Sequence, residues 1–394
     1  MNSITLRFAT VNSIFYLIYG IIYGYAAFYL RAKGFSSTET GIVFAVSSAA
    51  CIVLQTLIGN FLDSHLKYSA KHIIAIFSII LTIAVVILFF IHQRYVILLC
   101  FLIIMTILLV DSSLFNAFAM EYINAGEPLD FSLCRGLGSL AYSVVTLLMG
   151  ILISKTSEDI IIPSFFIVQA LVFLSLILLK PAARYGTATS GDPSVTEVRT
   201  SAELLRSEPL ILLLFTGILM MYLSYTAINN FHVNIIEAAG GGSRELGIST
   251  SIAAFLELPV MAAFIQLSRR FSYSSLLKFS CFFFVVKVLL MSFASSLISI
   301  YAIQSLQLLS YGLFVPASTY YINSVLSKAD MAKGQTLLGI FTFGLSGLIS
   351  SLLSGIMLDH YSVLDLMRVL TLLAVTGFLM ICISLKRLKP QSGR

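Results

Sequence analysis

Long apolar runs recur along almost the whole of the 394-residue chain, and they constrain its fold more than any other feature. About 20 consecutive apolar residues are enough for a helix to cross the hydrocarbon core of a bilayer. The chain is 58% hydrophobic and 11% charged, whereas soluble domains are about 45–50% apolar and about 25% charged. Because so few polar residues cannot cover a water-facing surface, the sequence predicts an integral membrane protein whose main solvent is lipid.

The apolar runs predict an all-α membrane protein with twelve transmembrane helices. A polar stretch from Pro181 to Ser207, rich in Pro, Gly, Ser and Thr, has the composition of a linker. We therefore expect two six-helix bundles, at 1–180 and 208–394, joined by a cytoplasmic linker at 181–207. The predicted spans are 8–30, 40–62, 72–92, 95–120, 134–154, 160–180, 209–236, 247–267, 274–294, 297–325, 333–357 and 363–385.

The Lys and Arg residues between the spans predict the orientation of the chain. If the N-terminus is inside, sixteen of them lie in inside segments and six in outside segments. Basic residues collect on the cytoplasmic side of membrane proteins, so we expect a multi-pass protein of the inner cell membrane with both termini in the cytoplasm. The same rule accounts for the net charge of +6. No basic stripe with interleaved aromatic residues lies outside the spans, which excludes a nucleic-acid partner.

The two halves share a short repeat. Glu39, Gly41 and Ile42 open the second span, and the same three residue types open the eighth span 206 residues later. The same offset pairs Tyr19 with Tyr225 and Asp63 with Arg269. Parallel repeats of this kind build many transporters, and the repeat predicts pseudo-symmetric bundles.

Four ionisable residues fall inside the spans. Charge at bilayer depth costs about 2.5–3.5 kcal/mol on insertion scales and is normally paired or directed into a cavity. These residues therefore indicate a polar central cavity, although ion pairs that only brace helices would explain them too. They are Asp111, Arg135, Glu257 and Lys287.

A further polar set lies in spans four, seven and ten. Asn and Gln can offer both a donor and an acceptor to a solute, but they can equally hydrogen-bond neighbouring helices. His232 could relay protons near neutral pH, or it could be a satisfied structural group. The set is Asn116, Asn229, Asn230, His232, Asn234, Gln304 and Gln307.

Tyr16, Tyr19 and Tyr23 fall on one face of the first span and could form a stacking wall for a ring, or simply pack in the core. In span eleven, Gly347 and Ser351 belong to a seam of small residues that allows close helix packing or sliding.

Several sequence motifs are absent. The chain has no phosphate-binding loop of the G-x-x-x-x-G-K-[ST] type, no H-E-x-x-H zinc helix and no G-x-S-x-G nucleophile elbow. The five cysteines lie far apart and without nearby histidines, which favours buried small side chains over a disulfide framework or a metal site. The sequence thus predicts neither an enzyme nor a bound cofactor or metal.

The segment from Gly59 to Asp63, followed by Lys67 and Lys71, resembles the loop signature between the second and third helices of the major facilitator superfamily. The resemblance, with two six-helix halves, covers essentially the whole chain. It implies secondary transport by alternating access, with Gly59 and Asp63 acting in the conformational change.

A closer likeness is to the branch that contains lactose permease and the 3-phenylpropionate transporter. Residues 40–45 resemble the start of its second helix, and residues 130–142 resemble the entry to its fifth helix. This resemblance implies that Arg135 binds substrate and that Tyr142 stacks on it. Glu257 matches a helix-eight glutamate that couples substrate to proton.

The same branch carries an arginine in helix nine, where this chain has Lys287, and its phenylpropionate member carries an acid in helix four that Asp111 resembles. The chain departs from lactose permease in helix ten, because Gln307 and Ser310 stand where that protein has the histidine and glutamate that manage the proton. Asn116 lies near the acid that grips galactosides without matching it.

Together these features predict a proton-coupled symporter of a small solute such as a sugar or an aromatic acid, acting as a monomer. The alternatives are an exporter or drug pump of the same fold, and a non-transporting sensor or membrane enzyme. The predicted proton-coupling residues are Asp111, Glu257 and Lys287, and the predicted substrate-binding residues are Tyr19, Asn116, Arg135, Tyr142, Asn230, His232 and Gln307.

Overall fold

The computed structural model describes residues 3–65, 67–179, 201–327 and 330–388. Within these residues, twelve helical segments are long and apolar enough to cross a membrane. The predicted all-α fold with twelve spans is therefore confirmed, and most span ends agree within a few residues. The predicted linker at 181–207 lies largely outside the described residues, but its last seven residues form a short helix.

The helices of the described residues follow in chain order: α1 (Ser3–Ile22), α2 (Ala26–Ala32), α3 (Ser37–Ser64), α4 (Ala70–Phe90), α5 (Arg94–Asn124), α6 (Phe131–Lys155), α7 (Ile161–Leu178), α8 (Ser201–Ser207), α9 (Pro209–Asn230), α10 (His232–Ala238), α11 (Ser243–Arg270), α12 (Tyr273–Met291), α13 (Leu297–Gln304), α14 (Tyr311–Val325), α15 (Met331–Gly339), α16 (Ser346–His360) and α17 (Val363–Arg387).

Several spans are not continuous α-helices. A 3₁₀ turn at Tyr23–Tyr25 separates α1 from α2, and another at Ser305–Leu308 separates α13 from α14. A π-helical segment at Ile340–Leu345 lies between α15 and α16, and Phe231 interrupts the span formed by α9 and α10. Broken helices and π segments free backbone groups and redirect side chains, which is why transporters often place binding sites beside them.

The chain divides into two compact units. Unit 1 contains Met1–Gly191 with Gly242–Phe255, and unit 2 contains Asp192–Gly241 with Leu256–Arg394. In unit 1, α1 packs against α6 and α7, while α5 packs against α3 and α4. In unit 2, α9 and α12 both pack against α17, and α12 packs against α14.

The sequence repeat reappears as a repeat of local structure. Gly34 and Gly240, which are 206 residues apart, both have φ of +80°, a left-handed conformation that favours glycine at helix C-termini. Soon after each glycine, a glutamate in the first turn of the next helix, Glu39 or Glu245, accepts a hydrogen bond at 2.8 Å from the backbone N–H three residues earlier. Equivalent turns therefore lead into α3 and α11.

Serine hydroxyls hold α16 and α17 against α9 in unit 2. Ser350 donates to the Leu223 carbonyl at 2.6 Å, and Ser224 donates to the Leu370 carbonyl at 2.7 Å. Small side chains let helices approach closely enough for such bonds. Ser351, a member of the small-residue seam of span eleven, accepts a hydrogen bond from Asn230 on α9 at 2.9 Å.

Two ion-pair clusters lie at one end of unit 1. The Lys33 ammonium contacts Glu158 at 3.1 Å and Asp159 at 2.6 Å. Arg94 donates to the Glu39 carboxylate at 2.6 Å. These pairs tie the ends of neighbouring helices together at the side predicted to face outward.

Candidate functional site

Three polar side chains from three different elements meet in unit 2. The Lys287 ammonium, on α12, donates to Gln307 Oε1 at 2.5 Å. Gln307 Nε2, in the 3₁₀ turn, donates to Glu257 Oε1 on α11 at 2.8 Å. Lys287 is only 6% exposed and Gln307 only 3%. A single neutral amide therefore lies between a buried cation and an acid, and the three side chains come from three membrane spans.

The breaks in the helices place these side chains. Gln307 lies in the 3₁₀ turn, and Ser310 adopts φ −91° and ψ −95° before α14 begins. Pro259 lies inside α11, two residues after Glu257; it has no N–H, so it cannot donate the usual hydrogen bond to the carbonyl four residues earlier. Gly312 allows α14 to approach α11, because a Cβ there would lie 2.8 Å from Val260 Cγ1 and 3.3 Å from Glu257 Cα.

A tyrosine stack adjoins this amide. Tyr225 and Tyr311 are stacked with ring centroids 4.5 Å apart and an interplanar angle of 4°. Tyr225 also hydrogen-bonds with Gln307. The repeat had paired Tyr225 with Tyr19, but no sequence signal pointed to Tyr311, because it reaches the stack from a different span.

His232 and Gln304 form a second buried polar pair in unit 2. Their Nε2 atoms are 3.1 Å apart, and the two side chains are 5% and 4% exposed. Each lies at a helix break, His232 at the start of α10 and Gln304 at the end of α13. Asn230 instead donates to Ser351 at 2.9 Å, which braces α9 against α16.

In unit 1, Arg135 lies over a tyrosine ring. Its Cζ is 5.0 Å from the centroid of Tyr16, a distance suited to a cation–π contact. Gly138, one turn further along α6, makes room for that ring, because a Cβ there would lie 2.5 Å from Tyr16 Cδ2 and 2.7 Å from Asn12 Nδ2. Arg135 Nη1 is buried and has no hydrogen-bond partner among the described residues.

The predicted tyrosine wall forms beside Arg135. Tyr19 and Tyr23 stack at 4.5 Å and 18°, and the rings of Tyr19 and Tyr142 are 6.1 Å apart. Tyr16 lies 6.1 Å from Tyr19. The structure therefore brings together the arginine and the aromatic side chains that the sequence had singled out in spans one and five.

Asp111 lies on α5 in the same unit. It is 4% exposed, and its Oδ1 accepts no hydrogen bond from any described residue. Phe115, one turn along α5, has its ring 4.6 Å from that of Phe15 on α1. Asn116 is exposed on α5, on a different face of the helix from Asp111, so the two side chains are not brought together.

The conformational-motif residues lie at the end of α3. A Cβ at Gly59 would have no atom within 4 Å, so this glycine does not mark a close helix contact in the structure. The side chain of Asp63 lies outside the described residues. In the part of the chain that the structure describes, no three His, Cys, Asp or Glu side chains are grouped as metal ligands.

Comparisons with known proteins agree with this architecture. Residues 6–369 match the family described as MFS_1 like. The crystal structure of the nucleoside transporter NupG superposes with a TM-score of 0.79 at 16% identity, covering 98% of this chain and 100% of that one, and a single-residue mutant of NupG gives 0.80 at 15%, with the same coverage.

A bacterial homologue of the human lysosomal transporter Spinster, described as inward-facing and unoccupied, gives a TM-score of 0.65 at 12% identity and covers 97% and 95% of the two chains. No curated protein sequence matches the chain. At such low identities the structures establish the fold alone, whereas the family match extends over most of the chain. The chain therefore belongs to the MFS_1-like family of the major facilitator superfamily, whose members are secondary transporters and not enzymes.

Proposed function

We propose that this protein is a proton-coupled symporter of a small solute, working by alternating access. The observation that carries the proposal is the Glu257–Gln307–Lys287 chain, because it holds an acid and a base together at membrane depth. Ionisable groups so placed are costly and are typical of proton relays in transporters. Glu257 exchanges the proton, and Lys287 responds to the change in its charge.

Arg135 and the tyrosines of unit 1 are the proposed substrate contacts. The guanidinium has a buried donor, Nη1, without a hydrogen-bond partner among the described residues, and it could bind an anionic or hydroxylated group. Tyr142 and Tyr19 would stack on a ring. Asp111 is the second candidate for the proton, and Asn116, Asn230 and His232 are candidates for polar contacts.

Three solute classes fit these contacts: sugars, aromatic acids and nucleosides. The likeness to the lactose permease and phenylpropionate branch suggests the first two. The similarity to NupG, a nucleoside transporter, adds the third. The protein would act as a monomer in the inner membrane, with both termini in the cytoplasm and Gly59 and Asp63 serving the conformational change.

A thermal-shift screen of the purified protein against these three classes tests the proposal, because a ligand that binds only the native state stabilises it. A compound from the screen should then accumulate in proteoliposomes when an inward proton gradient is imposed. Binding without gradient-driven accumulation would contradict proton symport.

A second candidate is export of aromatic, drug-like compounds. It is favoured by the tyrosine stacks in both units, at Tyr19 and Tyr23 and at Tyr225 and Tyr311. Uptake into inverted vesicles, but not into right-side-out vesicles, would support the exporter over the symporter.

A further inference from the structure

Gln307 is a predicted substrate-binding residue whose observed contacts are all with other protein groups. The sequence suggested a contact with the transported solute. In the structure, both ends of its amide are already engaged within unit 2, Oε1 by Lys287 and Nε2 by Glu257. Tyr225 hydrogen-bonds with the same side chain. An amide that serves three protein groups is poorly placed to bind a substrate as well.

The surroundings hold this amide in one orientation. Gln307 lies in a 3₁₀ turn and is 3% exposed. Tyr225, whose ring stacks on that of Tyr311, hydrogen-bonds with it. The backbone around the turn is also closely packed, because a Cβ at Gly312 would lie 3.3 Å from the backbone carbonyl oxygen of Gln307. Rotation of the side chain would break hydrogen bonds to both charged groups.

The direction of the amide matches the charges. Its oxygen faces the ammonium and its nitrogen faces the carboxylate, so the dipole is favourable at both ends. A direct contact between a buried acid and a buried base holds both charges tightly. Interposing an amide lengthens the separation and weakens this attraction while leaving each charge with a hydrogen bond. Either group can then change its protonation state while it keeps a hydrogen bond to the amide.

We propose that Gln307 is a positioning residue that transmits the charge of Glu257 to Lys287 through its amide. This inference rests on the proposed proton coupling at Glu257 and adds the group that links the acid to the base. It predicts that the proton affinity of Glu257 depends on Gln307, and that the effect of removing Lys287 reaches Glu257 mainly through the amide.

Other titratable groups surround the pair and must be separated from it. Tyr222 and Tyr225 lie near Glu257, Tyr311 stacks on Tyr225, and His232 lies near Lys287. A free tyrosine titrates at about pH 10, well above the range of a carboxyl group. Gln304→Met is the control for any contribution of His232 to the titration, because Gln304 contacts His232. Gln304 also lies directly beside the 3₁₀ turn that contains Gln307. Gln304 is also the matched control for Gln307, since both are buried glutamines in the same span.

The test is an infrared pH titration of the full-length protein in lipid nanodiscs, with protons as the only ligand. The carboxylic-acid band that disappears in Glu257→Gln identifies Glu257. In Gln307→Met its titration midpoint should move upward by about one pH unit or more, because the ionised carboxylate loses a charge-assisted hydrogen bond. In Gln304→Met the midpoint should stay within about a few tenths of a unit of the wild type.

A double-mutant cycle completes the test. Lys287→Met should shift the Glu257 midpoint less in the Gln307→Met background than in the wild-type background, because the connecting amide is already gone. Gln307→Asn, which keeps the amide on a shorter arm, replaces Gln307→Met if that variant does not fold, and should show a smaller shift in the same direction.

Equal shifts in the Gln307 and Gln304 variants, no shift in the Gln307 variant, or additive effects with Lys287→Met would each overturn the role of Gln307. These results do not depend on any transport assay. A failure of proton symport and a failure of this inference therefore remain distinguishable.

Discussion

The charged side chains inside the two units differ in their hydrogen-bond partners. In unit 2, Glu257 and Lys287 are joined through Gln307 by hydrogen bonds of 2.8 and 2.5 Å. In unit 1, the buried Nη1 of Arg135 and Oδ1 of Asp111 have no hydrogen-bond partner among the described residues. Buried polar atoms are normally hydrogen-bonded, so an exception calls for an explanation. The difference suggests that unit 2 handles an internal charge exchange and that unit 1 presents groups to an incoming solute.

The largest loss of stability should come from removing the buried cation of unit 2. Lys287→Met leaves the Glu257 carboxylate and the Gln307 carbonyl without their cation. Breaking a direct, buried charge pair by removing one partner typically costs about 3–5 kcal/mol, and the cost here should lie towards the lower end because an amide separates the charges and Glu257 is half-buried. We expect a clear loss of thermal stability in nanodiscs, which Glu257→Gln in the same background should partly restore.

A smaller effect is expected from filling the space beside Arg135. In Gly138→Ala the new Cβ would meet Tyr16 Cδ2 at 2.5 Å, and such overpacking costs about 1–3 kcal/mol. The displaced ring should also weaken ligand binding at Arg135. Gly59→Ala is the control, because a Cβ there meets no atom within 4 Å; equal losses of stability in both variants would argue against a packed Tyr16–Arg135 contact.

Removing the charge of Arg135 should affect stability less and binding more. Arg135→Gln gives up a cation–π contact with Tyr16, worth about 0.5–1 kcal/mol at exposed sites. Affinity for a ligand found by the thermal-shift screen should fall about tenfold or more, as expected for the loss of a charged hydrogen bond. Titration calorimetry measures this change. Unchanged affinity together with a large loss of stability would make Arg135 a structural residue.

The smallest effect should come from the ion pairs at the end of unit 1. Lys33→Met removes contacts to Glu158 and to Asp159, whose side chain is 64% exposed. Exposed pairs contribute about 0.2–1 kcal/mol and are screened by salt. The melting temperatures of Lys33→Met and the wild type should therefore converge as the salt concentration rises. A large, salt-independent loss of stability would show that the ion pairs of Lys33 are as important as the buried contacts of Lys287.

The sequence predicted the span pattern well because each span must satisfy its own backbone hydrogen bonds in lipid, and hydropathy records that requirement locally. It also identified the residues whose charge is costly in a membrane, including Arg135 and Glu257. It did not predict the breaks at Phe231 and at Ser305–Leu308. Neither break contains a glycine or proline that would mark it in the sequence.

The partnerships within the site were also beyond the sequence. Gln307 and Glu257 lie fifty residues apart along the chain, and Tyr311 meets Tyr225 from another span. No periodicity within one helix can indicate which neighbouring helix a side chain faces. The sequence therefore could not indicate that Gln307 lies between two charged side chains.

The proposed symport requires that Glu257 carries the coupled proton. Its most direct test is transport by Glu257→Gln in proteoliposomes, using a ligand from the thermal-shift screen. Proton-driven accumulation should be lost, while exchange of labelled for unlabelled solute across the membrane should continue at a rate close to that of the wild type. Equal loss of accumulation and exchange, or accumulation that survives the substitution, would contradict the account.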